Sequence, residues 1–173
     1  KARHQRMDRI VALKVVRPEL LADPETVDRF QREIQVVSQL THPNVVHAFD
    51  AGPIGSNYFL AMELVEGIDL LKLVEQRGKL PFIEACDYLR QAALGLQHIH
   101  ERGLVHRDIK PQNLVMSVRD GLVKVLDLGL ARLRRAPDAV TTDDENTSSL
   151  TPVGSVMMGT ADYMAPEQAL DFH

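Results

Sequence analysis

The stretch LVHRDIKPQN, Leu104 to Asn113, sets a carboxylate, Asp108, between Arg107 and Lys110, stiffens the chain at Pro111 and ends on the side-chain amide of Asn113. A carboxylate at the right height takes or orients the proton of an attacking hydroxyl. A lysine two residues on can neutralise phosphate charge, and an amide oxygen suits a hard cation such as magnesium. The rest of the chain can be read as what positions these groups.

His106-Arg107-Asp108 followed by Asn113 resembles the catalytic loop of protein kinases, and Lys110 inside it resembles the serine/threonine branch. The resemblance continues in both directions and in the family's order. It covers Lys14, Glu33, Met62-Glu63, Asp108, Lys110, Asn113, Asp127, Thr160 and Glu167. Singly each motif is modest evidence, whereas their joint order and spacing is specific. The implied fold is α+β, a partial bilobal protein kinase fold. Residues 1–62 would be a small β-rich lobe with one long helix and no glycine-rich loop, 63–69 a hinge, and 70–173 the first part of a helical lobe. In tone the sequence is closest to the bacterial eukaryotic-like (Hanks-type) serine/threonine kinases.

Upstream, IVALKVV (Ile10 to Val16) is short and β-branched, the signature of a strand. Its period of two puts Ala12 and Lys14 on one face, a small residue beside a cation, which suits an adenine and its phosphates. Alone, such a lysine is usually just solvated. Asp23-Pro24-Glu25 reads as a helix start. Val27, Phe30, Ile34, Val37 and Leu40 then recur as one apolar stripe. Glu33 lies off that stripe, by default a surface acid. The resemblance instead implies that it pairs with Lys14 and holds the lysine against the nucleotide's phosphates. Val45 to Phe49 and Asn57 to Leu64 read as extended. MELVEG after them resembles the hinge, with Met62 at the back of the adenine pocket, the backbone of Glu63 to Val65 along the adenine edge and Asp69 at the ribose.

From Pro81 a helix is expected to about Arg102, with Phe82, Cys86, Leu89, Ala93, Leu96 and Ile99 at helical period and Gly103 as its stop. His98 and His100 are two apart and face differently, which argues against a shared metal and for one packed and one exposed ring. Leu114 to Val118 and Leu122 to Leu126 flank a turn at Arg119-Asp120-Gly121, a hairpin signal. Val115 would lie beneath the adenine ring opposite Ala12. Asp127-Leu128-Gly129 follows, where kinases place a magnesium-ligating aspartate and usually a phenylalanine after it. Leucine keeps an apolar plug there, so function should survive.

Residues 134–152 are acidic, hydroxyl-rich and poor in large apolar side chains, the composition of a mobile loop. An inert linker is the plain reading. The resemblance makes it an activation loop, since it lies between Asp127 and Ala165-Pro166-Glu167. Gly159 to Gln168 resembles the substrate-receiving end of that loop, where Thr160 would hydrogen-bond to Asp108 and Lys110 and tie substrate placement to the catalytic loop. Arg29, Arg107 and Arg132 would converge on this loop, where a phosphate on Thr151 or Ser155 would relieve their mutual repulsion and raise activity.

The 173 residues, 45% of them hydrophobic, suit one domain with a core. A net charge of −4 without a basic stripe argues against nucleic acid. Cys86 has no second cysteine and reads as a small buried helix residue, as in a reducing compartment. No apolar run spans a membrane and no signal peptide is recognisable. A cytoplasmic setting is expected, with an anchor elsewhere in the parent left open. The chain begins with lysine, which points to a segment of something longer.

The implied activity is transfer of the γ-phosphoryl of ATP, with Mg2+, to a serine or threonine of a protein substrate, with self-association for autophosphorylation. The competing class is a pseudokinase or interaction scaffold, which loss of Lys14, Asp108, Asn113 or Asp127 would favour. All four are present. This segment alone is expected to transfer phosphate weakly or not at all and to expose apolar surface.

Overall fold

Ile10, Val11, Val15 and Val16 crowd their own backbone in a helix and fit a pleated surface, and Arg9–Val16 is strand β2. It pairs antiparallel with β1 (Ala2–His4) on one side and β4 (Asn57–Glu63) on the other. β3 (Ala48–Ile54) completes a sheet of order β1-β2-β4-β3. The computed structural model describes residues 1–5, 7–16, 24–55, 57–127 and 161–166. Along β2, Ala12 and Lys14 are half-buried on one face while Leu13 and Val15 are exposed on the other, as the period of two requires.

Helix α1 (Pro24–Ser38) lays the expected stripe against this sheet. Phe30 and Val37, with Leu40 just beyond the helix, are buried, and Val27 and Ile34 pack partly against them. Phe30 meets Tyr58 of β4 edge-on, ring centroids 5.3 Å apart. Asp23, the expected cap, lies outside the described residues.

The second half holds a smaller sheet, β5 (Gly67–Asp69), β6 (Leu114–Ser117) and β7 (Val123–Val125) in that order. β6 and β7 form the expected hairpin, with Gly121 at φ 71° and its amide donating to Ser117 O at 2.9 Å. Helix α2 (Leu70–Arg77) follows β5, and α3 (Phe82–His100) runs behind β7. Among the described residues no helix is long and apolar enough to cross a membrane.

Two readings of the sequence need correction. The segment Val45 to Phe49 is not one strand. Asn44, Val45 and Val46 give their backbone to β7, with Val125 N donating to Asn44 O at 2.9 Å and Val46 N to Val125 O at 3.0 Å, and β3 starts only at Ala48. On α3, Phe82 and Ile83 are each 83% exposed, Leu89 is 63% exposed and Cys86 is exposed too. The buried face is Gln91, Ala92, Gly95 and Ile99. The helix has more than one apolar stripe, and the one that packs is the one whose small residues admit close backbone approach.

Gly95 shows how close. A Cβ placed there would stand 2.6 Å from Asn44 O and 3.1 Å from Val125 Cγ2. Alanine is the better helix former by about 1 kcal/mol, yet here it would push two backbones apart. Gly95→Ala should therefore lower the unfolding free energy by about 2 kcal/mol, the scale of core overpacking. Urea unfolding of the full-length protein measures it, and a stabilised variant would refute the packing argument.

The ring of His98 on α3 lies 4.9 Å from that of His42, centroid to centroid, with Arg102 Nη1 at 3.1 Å from His98 Nδ1. Burial, then Arg102 and His42, hold the His98 pKa below the usual 6.5, against a smaller upward pull from Glu101. Below 6.5 the unfolded chain takes a proton that the folded chain refuses, so this contribution to stability falls as the pH drops from there toward the folded value. His98→Gln should flatten the pH dependence of the thermal midpoint in that window, and an unchanged slope would contradict it.

Candidate active site

The loop from His106 to Asn113 is held by a closed ring of four hydrogen bonds. His106 Nε2 donates to Leu126 O at 2.7 Å, Leu126 N to Asn113 O at 2.8 Å, Asn113 Nδ2 to Asp108 O at 2.7 Å and Asp108 N to His106 O at 2.9 Å. The last bond closes a three-residue turn around Arg107, whose φ of 64° is that of a γ-turn centre. Pro111 opens a short 3₁₀ turn, Pro111–Asn113, which leads into β6.

Asp108 is thereby presented from a braced backbone. Lys110 Nζ sits 2.9 Å from its Oδ2, and Asn113 Nδ2 lies 3.2 Å from the same oxygen. Because the Asn113 amide nitrogen is turned to Asp108, its Oδ1 faces away and is the atom left for a cation. Asp127 follows β7 with φ 58°, a conformation more accessible to aspartate than to most residues. The bond between Leu126 N and Asn113 O sets this carboxylate next to Asn113 in the fold.

Lys14 Nζ donates to Asp127 Oδ1 at 2.7 Å, joining the first sheet to the end of β7. The sequence expectation concerned Glu33, which lies half-buried on α1; the contact of Lys14 with Asp127, at a residue with left-handed backbone, is one it did not include. Both partners of the Lys14–Asp127 pair are more than a third exposed, so its contribution to stability is small. Its value is positional: a cation carried by the first sheet meets an anion at the end of β7.

Along the expected adenine edge, Glu63 ends β4 opposite Val11, and its amide donates to His47 O at 2.8 Å. Leu64 to Glu66 are irregular, and Val65 is half-buried among them. Ala12 is opposite Met62 in the β2/β4 register, and Val115 is buried in β6. Asp69, expected at the ribose, caps α2: its Oδ1 accepts from Lys72 N at 2.9 Å, and Oδ2 pairs with Lys72 Nζ at 2.9 Å. Burial pushes its pKa up, but the Lys72 amide and ammonium outweigh this and hold it below the usual carboxylate value. Arg29 lies within α1. Arg132, Thr151, Ser155, Thr160 and Glu167 lie outside the described residues.

Sequence reasoning missed a buried polar knot. Asn44 Nδ2 donates to Gln91 Oε1 at 3.1 Å and to Val123 O at 2.8 Å, and Val123 N donates to Gln91 Oε1 at 2.8 Å. Gln91 Nε2 continues to Asp87 Oδ2 at 2.7 Å. Neither Asn44 nor Gln91 belongs to a motif that the sequence singles out. Asn44→Ala would leave Gln91 Oε1 and the Val123 carbonyl each short of a donor, at a cost of about 2 kcal/mol. Denaturant unfolding of the full-length protein should show it, and a loss indistinguishable from zero would mean the knot is dispensable.

With this geometry in place, the class of the molecule is settled by comparison. The protein kinase domain family matches residues 1–170, and the chain belongs to that family. Its architecture is a partial bilobal kinase fold. The serine/threonine-protein kinase PknA of Mycobacterium tuberculosis is 39% identical over 170 residues, which are 95% of this chain and 36% of the relative. A probable serine/threonine-protein kinase of Clostridium acetobutylicum is 37% identical over 169 residues, 98% of this chain and 24% of the relative. Among solved structures, the PknI kinase domain of M. tuberculosis aligns with a TM-score of 0.61 at 36% identity, over 68% of this chain and 48% of that one. The chain thus spans about a quarter to a third of the length of these curated relatives. The family uses ATP and generally a divalent metal, and it acts on proteins.

Proposed function

We propose that the protein carrying this chain is an ATP-dependent serine/threonine protein kinase. The observation that carries the reading is the pairing of two poised groups: Asp108 braced by the hydrogen-bond ring and flanked by Lys110, and Lys14 facing Asp127 at 2.7 Å. A part-exposed Lys–Asp pair matches both halves of a metal–phosphate ligand, the ammonium taking phosphate oxygens and the carboxylate the cation.

The donor set fits Mg2+, which prefers a carboxylate or two completed by phosphate oxygens. Asp127 and the Oδ1 of Asn113 are the hard oxygens this chain offers. Bound there, the ion would neutralise charge on the phosphates. Ala12 and Val115 would enclose the base, and Glu63 to Val65 its edge. Because the Glu63 amide is already engaged, that residue offers its carbonyl.

Asp108 would orient the substrate hydroxyl and accept its proton on the carboxylate. Lys110, already 2.9 Å from that carboxylate, would damp negative charge as the phosphoryl group moves. Little covalent chemistry is asked of the protein, and positioning carries most of the acceleration. Thr160 would hydrogen-bond to Asp108 and Lys110 and tie substrate placement to them. Phosphate on Thr151 or Ser155, met by Arg29, Arg107 and Arg132, would favour the active arrangement.

The test is γ-phosphoryl transfer from Mg-ATP by the full-length protein, with Asp108→Ala in parallel and mass spectrometry to locate the sites. Asp108→Ala should lower the rate by roughly a thousandfold, with incorporation on wild-type Thr151 or Ser155. ATP binding with no transfer to itself or to a generic protein substrate would convert the reading to that of a scaffold. Transfer to other residues only would remove the activation-loop assignment alone.

A further inference from the structure

The small sheet aligns three residues in one row. Register places Asp69 of β5 opposite Val115 of β6, and Val115 opposite Lys124 of β7, so their side chains share one face. Val123 and Val125 point to the other face and are fully buried. At the end of the row Lys124 leaves its own sheet. Its ammonium lies 2.9 Å from both carboxylate oxygens of Glu63, the last residue of β4.

This pair is less exposed than the Lys14–Asp127 pair, which also reaches from the first sheet toward the second. Lys124 is 12% and Glu63 30% exposed in their side chains, against 37% and 49% for Lys14 and Asp127. Glu63 is tied at three points: opposite Val11 in the β2/β4 register, through its amide to His47 O at 2.8 Å, and through its carboxylate to Lys124. Its amide and its side chain are thus both anchored at the end of β4. One lysine therefore stands between the proposed floor of the base site, Val115, and the proposed edge of it, Glu63.

We propose that Lys124 is a positioning residue for the nucleotide base, setting the distance between the Val115 floor and the Glu63 edge through its ion pair. The inference rests on the proposed adenine placement and goes beyond it by assigning the base's geometry to a residue that touches neither base nor phosphate. Losing the pair should weaken recognition of the base without affecting Lys14 and Asp127, the proposed phosphate and cation ligands.

The experiment uses the full-length protein and two probes, ATP and adenosine, the latter carrying the base and ribose alone and read as a competitive inhibitor of ATP. Lys124→Met should raise the KM for ATP and the inhibition constant of adenosine alike, each roughly fivefold, the upper end for a part-exposed pair. kcat should stay within about twofold, because the interaction is the same in ground and transition states. Lys14→Met is the contrast: it should weaken ATP and leave adenosine unchanged. Lys124→Arg, and the exchanged pair E63K/K124E, should recover adenosine affinity.

A merely structural lysine predicts otherwise: a lowered thermal midpoint with adenosine binding unmoved, and that result overturns the proposal. So does an exchanged pair that folds but binds adenosine no better than Lys124→Met. Should Lys124→Met itself not fold, the exchanged pair and Lys124→Arg are compared directly with wild type, and weakened adenosine binding in both refutes the idea. Failure of the wild type to bind ATP at all would sink the parent reading and this one together, whereas binding indifferent to Lys124 sinks this one alone.

Discussion

Asn44 is a primary amide buried where the first sheet's connecting loop meets α3 and β7, and a buried amide must find partners on every side. It finds Gln91 on α3 and Val123 on β7 through Nδ2, and Val125 through its own carbonyl. An unmet donor or acceptor in this space costs more than a typical bond gains, so the arrangement tolerates little sliding. The loop after α1 is thereby fixed to the hairpin that ends in Asp127. Lys14 rides on the first sheet and Asp127 on the second. Their 2.7 Å approach follows from how Asn44 docks one sheet on the other.

Gly95 belongs to the same constraint, seen from the helix side. Only a residue without a Cβ lets α3 come close enough for Gln91 to meet Asn44 and Val123 at once. The cost is a glycine in a helix interior, about 1 kcal/mol of propensity. That α3 buries its Gly95 and Ala92 face while Phe82 and Ile83 stand 83% exposed is therefore not a paradox of hydrophobicity. Backbone contact on one face outranked side-chain burial on the other.

What the sequence disclosed divides along physical lines. Strands β2, β6 and β7 and helix α1 follow from local periodicity, and they lie where their patterns put them. The catalytic loop was legible because several chemically distinct residues recur at fixed spacing. Asn44 and Gln91 were not, since one polar residue looks the same whether it faces water or a buried carbonyl. The contact of Lys14 with Asp127 involves a left-handed backbone at one residue, which leaves no periodic trace. The capping role of Asp69 was readable in principle, as an aspartate directly before the apolar run Leu70-Leu71. The resemblance drew attention to the ribose instead.

Two residues beside the chemistry hold positive φ, Arg107 at 64° and Asp127 at 58°, and such conformations are disfavoured for non-glycine residues. Each needs surroundings that over-determine it. The ring through His106, Asp108, Asn113 and Leu126 supplies them, since it closes around Arg107 and ends one residue before Asp127. It also explains why an imidazole serves at 106. Its Nε2 donates to the Leu126 carbonyl in a site that is 5% exposed, where a lysine or arginine would bring a permanent charge into a buried place. The strained carboxylate-bearing turns are thus braced against each other. Asp108 cannot shift without moving the segment that carries Asp127, so the two carboxylates keep one geometry.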